Sequence, residues 1–294
     1  MPNKLARSIV SLLALGLVVA GVLTGCAELQ QVAEGVARQT GGEQAAGLVR
    51  GGSSLASGLL PIGFEEEQSI GAALALQVLA RYNGVYDQPE LTRYVNLVGR
   101  AVALTSDRPN IEYHFAILNH DSINAFATPA GYVFITKGIL KQIHNEAELA
   151  VVLGHEISHI SEKHILEVMQ RSKQLAGISE AGLAATGQNP AVFKGLMDQV
   201  TKKLLDEGLD QNKELDADRI GVIFAARVGY DPNASVVLLQ RLRALKGDDQ
   251  AFFKTHPNFS SRIEEVQKGL RTLKQPLTGA LLAERFTQRL QGRL

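Results

Sequence analysis

The sequence predicts an α+β domain in which helices dominate and a small β-sheet lies early in the chain. Three observations support this fold class: long segments with apolar residues at helical spacing, two short runs rich in β-branched and aromatic residues, and the turn-forming residues that bound those runs. The 294 residues contain no tryptophan and only 5% aromatic residues, so aliphatic side chains must build most of the core.

The charge balance argues against one class of partner. Thirty basic residues offset thirty acidic ones, and the basic residues form no stripe along the sequence. A nucleic-acid-binding protein usually carries a clustered excess of positive charge. We therefore expect no nucleic-acid partner.

The first 25 residues have a composition of their own. Lys4 and Arg7 precede an almost wholly apolar run over residues 9–23. This run of about 15 residues is shorter than the ~20 that a membrane-spanning helix needs. A positively charged N-terminal region followed by such an apolar run is typical of a secretory signal peptide, which we predict for residues 1–25.

The apolar run ends in Leu-Thr-Gly-Cys at residues 23–26, which resembles the lipobox of bacterial lipoproteins. The resemblance implies cleavage before Cys26, acylation of its sulfur, and a lipid anchor in a membrane that borders the periplasm. Ala27 stands where an aspartate would favour the inner membrane, so the outer membrane is expected. The alternative is an uncleaved N-terminal anchor helix with a cysteine nearby by chance. Since Cys26 is the only cysteine, no intramolecular disulfide can form.

The domain organisation follows from the next change in composition. Residues 26–63 are rich in Gly, Ala, Ser and Gln and poor in large apolar side chains. Such a segment is typical of a flexible tether, which would follow the lipidated cysteine. Residues 64–294 are predicted to form the folded domain.

The first half of this domain is predicted to contain two helices and the sheet. Apolar residues at a 3.6-residue spacing predict a helix over residues 65–81, and Pro89 suits the first turn of a second helix that runs to about residue 104. Residues 111–118 and 131–136 are short, β-branched or aromatic, and bounded by Asn, Asp, Pro and Gly. Both are predicted to be strands.

The second half is predicted to be helical. Asn145 and Glu148 form a capping box that opens a long helix over residues 145–174. A glycine-rich stretch over residues 177–187 follows, and it is either a mobile cover over a cleft or an ordinary loop. Further helices are predicted at residues 190–205, at residues 212–228 and within the last 60 residues.

The long helix carries the sequence His-Glu-Ile-Ser-His at residues 155–159. His155 and His159 are four residues apart, so both imidazoles lie on one face of the helix and can reach one metal ion. Glu156 lies about 100° round the helix, where it can act on a water beside the ion without binding the ion. Apolar neighbours predict that this helix is buried and central; the alternative is a helix with two surface histidines.

A catalytic zinc ion needs a third protein ligand and one open position. Glu214 and Asp218 are spaced four residues apart on a predicted helix and therefore share a face. One carboxylate can bind the metal while the other accepts the N–H of a ligand histidine. The alternative is a solvated acidic helix face. His164 follows His159 by five residues and is predicted to point away from the ligand face.

Four stretches in this order resemble the HtpX-like and CaaX-prenyl-protease-like metallopeptidases, in particular their periplasmic lipoprotein members. They are Asn-Ala-Phe-Ala at residues 124–127 with Gly-Tyr-Val-Phe-Ile-Thr at residues 131–136, His-Glu-Ile-Ser-His at residues 155–159, Glu-Leu-Asp-Ala-Asp-Arg at residues 214–219 with Gly-Tyr-Asp-Pro at residues 229–232, and Thr-His-Pro at residues 255–257 with Arg262-Ile263.

The resemblance implies a zincin-type fold of the gluzincin group with one zinc ion per chain. It further implies that His155, His159 and Glu214 bind the zinc. Glu156 would be the catalytic acid and base, and Asp218 would hold a ligand histidine from outside the metal site.

The roles of His256 and of a predicted edge strand each have more than one interpretation. His256, within Thr-His-Pro, is a candidate catalytic donor to the developing oxyanion. It could equally bind zinc in a resting state and block the open position, or be a loop histidine with no role. The resemblance also implies an exposed edge strand beside the zinc helix, which would align an extended substrate through main-chain hydrogen bonds. The alternative is an ordinary core strand. The residues of this strand are Ala125, Phe126, Ala127, Gly131, Tyr132 and Val133.

The expected function is a zinc metalloendopeptidase of the bacterial envelope whose substrates are unfolded or misassembled envelope proteins. The alternative is a periplasmic chaperone or assembly factor with a largely latent zinc site. In that case the edge strand would hold unfolded chains and cleavage would be rare. A purely structural zinc site is disfavoured, because such sites usually have four ligands rich in cysteine.

Overall fold

The structure, a computed structural model, describes residues 62–175, 190–246, 258–272 and 278–294. Residues 62–168 and 197–294 belong to one compact unit, which contains the sheet and the site described below. Residues 169–175 and 190–196 belong to a second unit and are helical. Some features that the sequence predicts lie outside the described residues. They are the signal peptide, Cys26, nearly all of the tether, the stretch over residues 177–187 and His256.

Helices dominate the described chain, as the sequence predicts. Residues Lys203–Glu207 form a π-helical turn. The α-helices, numbered among the described residues, are α1 (Phe64–Arg81), α2 (Pro89–Ala103), α3 (Lys137–Leu140), α4 (Glu146–Ser161), α5 (His164–Leu175), α6 (Pro190–Lys202), α7 (Gln211–Val228), α8 (Ala234–Lys246), α9 (Phe259–Thr272) and α10 (Ala283–Leu290). None of these helices is both long and apolar enough to cross a membrane.

The sheet has three strands: β1 (His114–Leu118), β2 (Ala125–Thr128) and β3 (Tyr132–Thr136). β3 lies in the middle, parallel to β1 and antiparallel to β2. This arrangement corrects the prediction of one edge strand that includes residues 131–133. Tyr132 and Val133 lie on the central strand, and of the predicted residues only Ala125, Phe126 and Ala127 lie on an edge strand, β2. All four residues of β2 are buried, so this edge strand is not exposed as predicted.

The turn between β2 and β3 explains the correction. Pro129 has no N–H to donate to a ladder, and Ala130 has a φ of 61°. Gly131 has a φ of +100°, and a Cβ there would lie 2.2 Å from the carbonyl oxygen of Glu112. Only glycine fits this position without strain, and the chain reverses there to form a hairpin.

The helix that carries the histidine motif is shorter than predicted. Its start is as expected, since the Asn145 side chain accepts a hydrogen bond from Glu148 N at 2.9 Å. Its end is not, because Lys163 adopts a left-handed conformation with a φ of 58° and separates α4 from α5. Lysine gives no sequence signal for such a break. The turn brings His164, the first residue of α5, back against α4.

α4 is buried on most sides and packs closely against α7. Gly154 on α4 faces Gly221 on α7, and a Cβ on Gly154 would lie 2.5 Å from the Gly221 carbonyl oxygen. A Cβ on Gly221 would lie 2.4 Å from the backbone nitrogen of His155. The two helix backbones therefore touch, and this close approach places the carboxylates of α7 beside the histidines of α4.

Candidate metal centre

His155, His159 and Glu214 bring three possible ligand atoms together within 4.8 Å of one another. The two Nε2 atoms lie 3.1 Å apart. The carboxylate of Glu214 approaches them to 3.5 Å at His155 and 3.7 Å at His159. A tetrahedral zinc ion with ligand bonds of about 2.0–2.1 Å needs ligand atoms about 3.3 Å apart. The donor set and its spacing therefore fit zinc.

The outer nitrogen of each histidine has a partner of its own. His155 Nδ1 lies 3.0 Å from Asp218 Oδ1, and His159 Nδ1 lies 2.9 Å from His164 Nδ1. When each Nδ1 carries its proton toward these partners, both Nε2 lone pairs are directed at one point. The arrangement fixes the tautomer that a metal requires.

Asp218 is itself held by Arg262 from α9. Arg262 donates from Nε to Oδ2 at 2.8 Å and from Nη2 to Oδ1 at 2.7 Å. Burial alone would raise the pKa of Asp218, but the charge and hydrogen bonds of Arg262, with the bond to His155, lower it to about 2. Asp218 is therefore a carboxylate at every physiological pH and a permanent acceptor for His155.

The same carboxylates control the proton of His155 in the metal-free site. Burial alone would lower the pKa of His155, but hydrogen bonds with Asp218 and Glu214 raise it to about 10. The imidazole is therefore charged at neutral pH, and a metal must displace a proton to bind.

Glu156 lies beside the ligand set and is 4% exposed. Burial raises the pKa of Glu156 to about 7; the charge of Glu214 adds to this shift and the charge of His155 opposes it. A carboxyl group that titrates near neutrality can both accept and donate a proton, as an acid–base catalyst must. A bound cation would lower this pKa again.

Two cavities meet at Glu156. The larger encloses about 50 Å³ and is walled mainly by apolar side chains of α4 and α8, with Arg262 and Asp218 on its polar side. The smaller encloses about 20 Å³ between Glu156, β2 and the segment over residues 204–209, with His159 and Glu214 in its wall. The edge strand therefore borders the space next to the candidate metal ligands.

The structure thus brings together five of the residues singled out in the sequence: His155, Glu156, His159, Glu214 and Asp218. Ala125, Phe126 and Ala127 line the smaller cavity, and His256 lies outside the described residues.

Two residues near the metal site had no role predicted from the sequence. His164 was expected to point away from the ligand face, and it contacts the outer nitrogen of His159 instead. Arg262 interrupts an apolar helical pattern, which is a weak signal for a buried ion pair.

Comparisons with known proteins agree with this site. Residues 89–269 match the model of peptidase family M48. The chain is 29% identical over 224 residues to a beta-barrel assembly-enhancing protease of Yersinia pestis. The aligned residues make up 72% of this chain and 46% of that protein. It is 30% identical over 197 residues to the protein of the same name in Escherichia coli, covering 62% of this chain and 39% of that protein.

A mitochondrial relative is also similar. The metalloendopeptidase OMA1 of Schizosaccharomyces pombe is 30% identical over 186 residues, covering 61% of this chain and 53% of that protein. The chain spans less than half the length of the two bacterial relatives.

Proposed function

The chain belongs to peptidase family M48, and on this basis we propose that it is a zinc metalloendopeptidase of the bacterial cell envelope. The observation that carries the proposal is the convergence of His155, His159 and Glu214 on one point, with Glu156 beside it. The family and the two-histidine, one-carboxylate set agree on zinc as the metal. We propose one zinc ion per chain.

The residues have distinct chemical tasks. A bound zinc ion would act as a Lewis acid on water and on the scissile carbonyl. Glu156 would take a proton from the attacking water and pass it to the leaving amine. Asp218 and His164 would keep the ligand histidines in the required tautomer. His256 is proposed as a donor to the oxyanion or, in a resting state, as a ligand that blocks the open position.

The edge strand supports binding of an extended chain. One side of β2 pairs with β3, and no strand of the described residues pairs with its other side. Because all four residues of β2 are buried, an added peptide strand could form main-chain hydrogen bonds there only if neighbouring segments move, but it would then bind with little demand on its sequence. Such a mode of binding suits unfolded or misassembled proteins, which we propose as the substrates.

The location is proposed from the N-terminal sequence and from the names of the bacterial relatives. Residues 1–25 would be a signal peptide, Cys26 a lipidated anchor in the outer membrane, and residues 26–63 a tether to the peptidase domain. Two bacterial relatives are named as proteases that enhance β-barrel assembly. Substrates among envelope proteins are consistent with these names.

One structural feature favours a latent site. The cavity beside β2 encloses only about 20 Å³, close to the space that one or two waters occupy, so a peptide can enter only if neighbouring segments move. A periplasmic chaperone with a mostly latent peptidase would share this feature.

Zinc content and casein cleavage of the purified chain, wild type beside Glu214→Ala, test the proposal. We expect one zinc per wild-type chain with cleavage, and much weaker zinc binding in Glu214→Ala. A chain that binds no zinc would overturn the proposal. Prevention of aggregation by Glu156→Gln, at the wild-type level and without cleavage, would instead favour the chaperone.

A further inference from the structure

A buried ion pair connects the edge strand to the end of the helix that carries the histidine motif. Glu67 of α1 is 2% exposed, and Arg108 donates to both of its carboxylate oxygens at 2.8 Å. The same carboxylate accepts a hydrogen bond from Ala130 N at 3.1 Å. Arg108 Nη1 also donates to the carbonyl oxygen of Ile160 at 3.1 Å. The ion pair therefore lies in one chain of hydrogen bonds between the turn after β2 and the last turn of α4.

The turn after β2 is held by one face of α1. Ala130 has a φ of 61°, a conformation that is uncommon for residues other than glycine and needs support from its surroundings. Thr128, the last residue of β2, donates from its hydroxyl to the carbonyl oxygen of Gly71 at 3.0 Å. A Cβ on Gly71 would lie 2.0 Å from the carbonyl oxygen of Pro129, so α1 contacts the turn directly. Glu67 and Gly71 are four residues apart and therefore act on the turn from the same side.

The other end of this network lies next to the candidate metal ligands. Ile160 directly follows His159 in α4. Glu67, Ala127 and His159 border the same narrow space, which shows how closely α1, β2 and α4 meet here. Ala127 also lies in the wall of the smaller cavity beside Glu156. The ion pair thus connects the strand that is proposed to bind substrate with the helix that is proposed to bind metal.

The chemistry of the pair favours a geometric role. Burial of two charges costs desolvation energy, and an apolar pair of similar size would often give equal or greater stability. A two-pronged contact between a guanidinium and a carboxylate, by contrast, fixes both the distance and the angle between the groups. This ion pair is therefore better suited to holding two elements in register than to adding stability.

We propose that Glu67 and Arg108 are positioning residues for peptide cleavage. Their ion pair would set the distance and the angle of β2 relative to α4, so that a peptide paired with β2 presents its scissile carbonyl to the metal site. This inference rests on the proposed peptidase function. Neither residue would touch the reacting atoms, and their effect would be limited to substrates long enough to pair with β2.

A nested series of peptides around one scissile bond tests the proposal. We expect kcat/KM of the zinc-loaded wild type to rise ~10-fold or more between the shortest peptide that it cleaves and a peptide long enough to cover the four residues of β2. Glu67→Gln keeps the size of the side chain but removes the charge that holds Arg108. The gain from length should then fall to ~3-fold or less, while the shortest peptide is cleaved at the wild-type rate per bound zinc.

Two further variants separate positioning from stability. Arg285→Gln breaks a different ion pair of α4, that with Glu146, and should keep the full gain from length. Arg108→Lys keeps a positive charge but cannot contact both carboxylate oxygens in the same way, so part of the gain should be lost. This milder variant gives the answer if Glu67→Gln folds poorly. A ratio between two peptides does not depend on the amount of folded enzyme.

Hydrogen exchange gives a readout that needs no cleavage. In Glu67→Gln without zinc, the amides of residues 125–131 should exchange ~3-fold or more faster than in wild type, because the turn loses part of its support. The amides of β1 should exchange at the wild-type rate. Equal exchange of residues 125–131 in both proteins would show that Glu67 does not hold the turn, and would overturn the proposal.

The outcomes distinguish this proposal from the proposed function. A full gain from length in both Glu67→Gln and Arg108→Lys would overturn the positioning role and leave the peptidase intact. Equal cleavage of short and long peptides by wild type would do the same, because β2 would then not guide the substrate. No cleavage of any peptide by the zinc-loaded wild type would overturn the peptidase function and the positioning role with it.

Discussion

His164 Nδ1 lies 2.9 Å from His159 Nδ1, and both side chains are buried. If His159 binds a metal through Nε2, its Nδ1 must carry the proton and donate it to His164. His164 then accepts through Nδ1 and fixes the orientation of the ligand ring. Partners of this kind usually change metal affinity 10–100-fold when they are removed.

We therefore predict that His164→Leu weakens zinc binding by ~10–100-fold. His164→Asn should recover part of this loss, because its side-chain oxygen can accept near the position of Nδ1. Competition with a chelator measures the affinities, and His114→Leu, at the exposed first residue of β1, serves as the control. Unchanged zinc affinity in His164→Leu would show that the contact has no influence on the metal site.

Zinc binding should release a proton from His155. Protonated His155 stabilises the metal-free fold, because its pKa is raised from 6.5 to about 10. This contribution is complete below pH 6.5 and is lost as the pH rises through about 10. Zinc affinity should therefore increase with pH over this range. Calorimetry in buffers of different ionisation enthalpy measures the release at pH 7, and Asp218→Asn should reduce it. Proton release that is the same in this variant would contradict the role of Asp218.

Glu146 forms a buried hydrogen-bond cluster at the start of α4. Tyr94 donates to it at 2.5 Å, Tyr230 donates at 2.6 Å, and Arg285 of α10 binds both of its oxygens. Burial alone would raise the pKa of Glu146, but these hydrogen bonds lower it. The carboxylate therefore stabilises the fold above the ordinary pKa of about 4.5, and this contribution is lost as the pH falls through the lower folded value.

Arg285→Gln should lower the free energy of unfolding by about 1 kcal/mol at neutral pH, since half of the Arg285 side chain is exposed and the pair is partly screened. The difference from wild type should shrink below pH 4.5. Urea titrations at pH 7 and pH 3.5 measure this difference, and Arg93→Gln, at an exposed position of α2, serves as the control. A difference of equal size at both pH values would exclude the carboxylate as its source.

The contact between Gly154 and Gly221 should be essential to the metal site. Gly221→Ala would force α4 and α7 apart, because a Cβ there lies 2.4 Å from the His155 backbone nitrogen. We expect the free energy of unfolding to fall by about 2 kcal/mol or more and zinc affinity to fall with it. Gly195→Ala, at an exposed position of α6, should be neutral or stabilising. Wild-type zinc affinity in Gly221→Ala would contradict this account.

Local patterns were enough to predict the helices and the metal-binding motif. The spacing of His155 and His159, and the capping of α4 by Asn145, depend only on neighbouring residues. The break after α4 could not be predicted, because it depends on the left-handed conformation of Lys163, and lysine is not a residue that signals such a conformation. His164 was misplaced for the same reason.

Long-range contacts decide the rest of the site. The spacing of Glu214 and Asp218 predicts two carboxylates on one face but not which of them contacts the Nε2 atoms. The Gly154–Gly221 contact and the ion pair of Asp218 with Arg262 settle this point in the folded chain. Pro129 and Gly131 signal a turn before β3, but the sequence does not show that β3 then pairs with both β1 and β2 and leaves β2 at an edge of the sheet.

Zinc content and peptide cleavage of wild type and Glu156→Gln, measured side by side, test the central claim most directly. Glu156 lies beside the metal ligands without belonging to the ligand set. We predict one zinc per chain in both proteins, with cleavage by wild type and none by Glu156→Gln. A wild type without zinc, or a Glu156→Gln variant that cleaves as fast as wild type, would contradict the account.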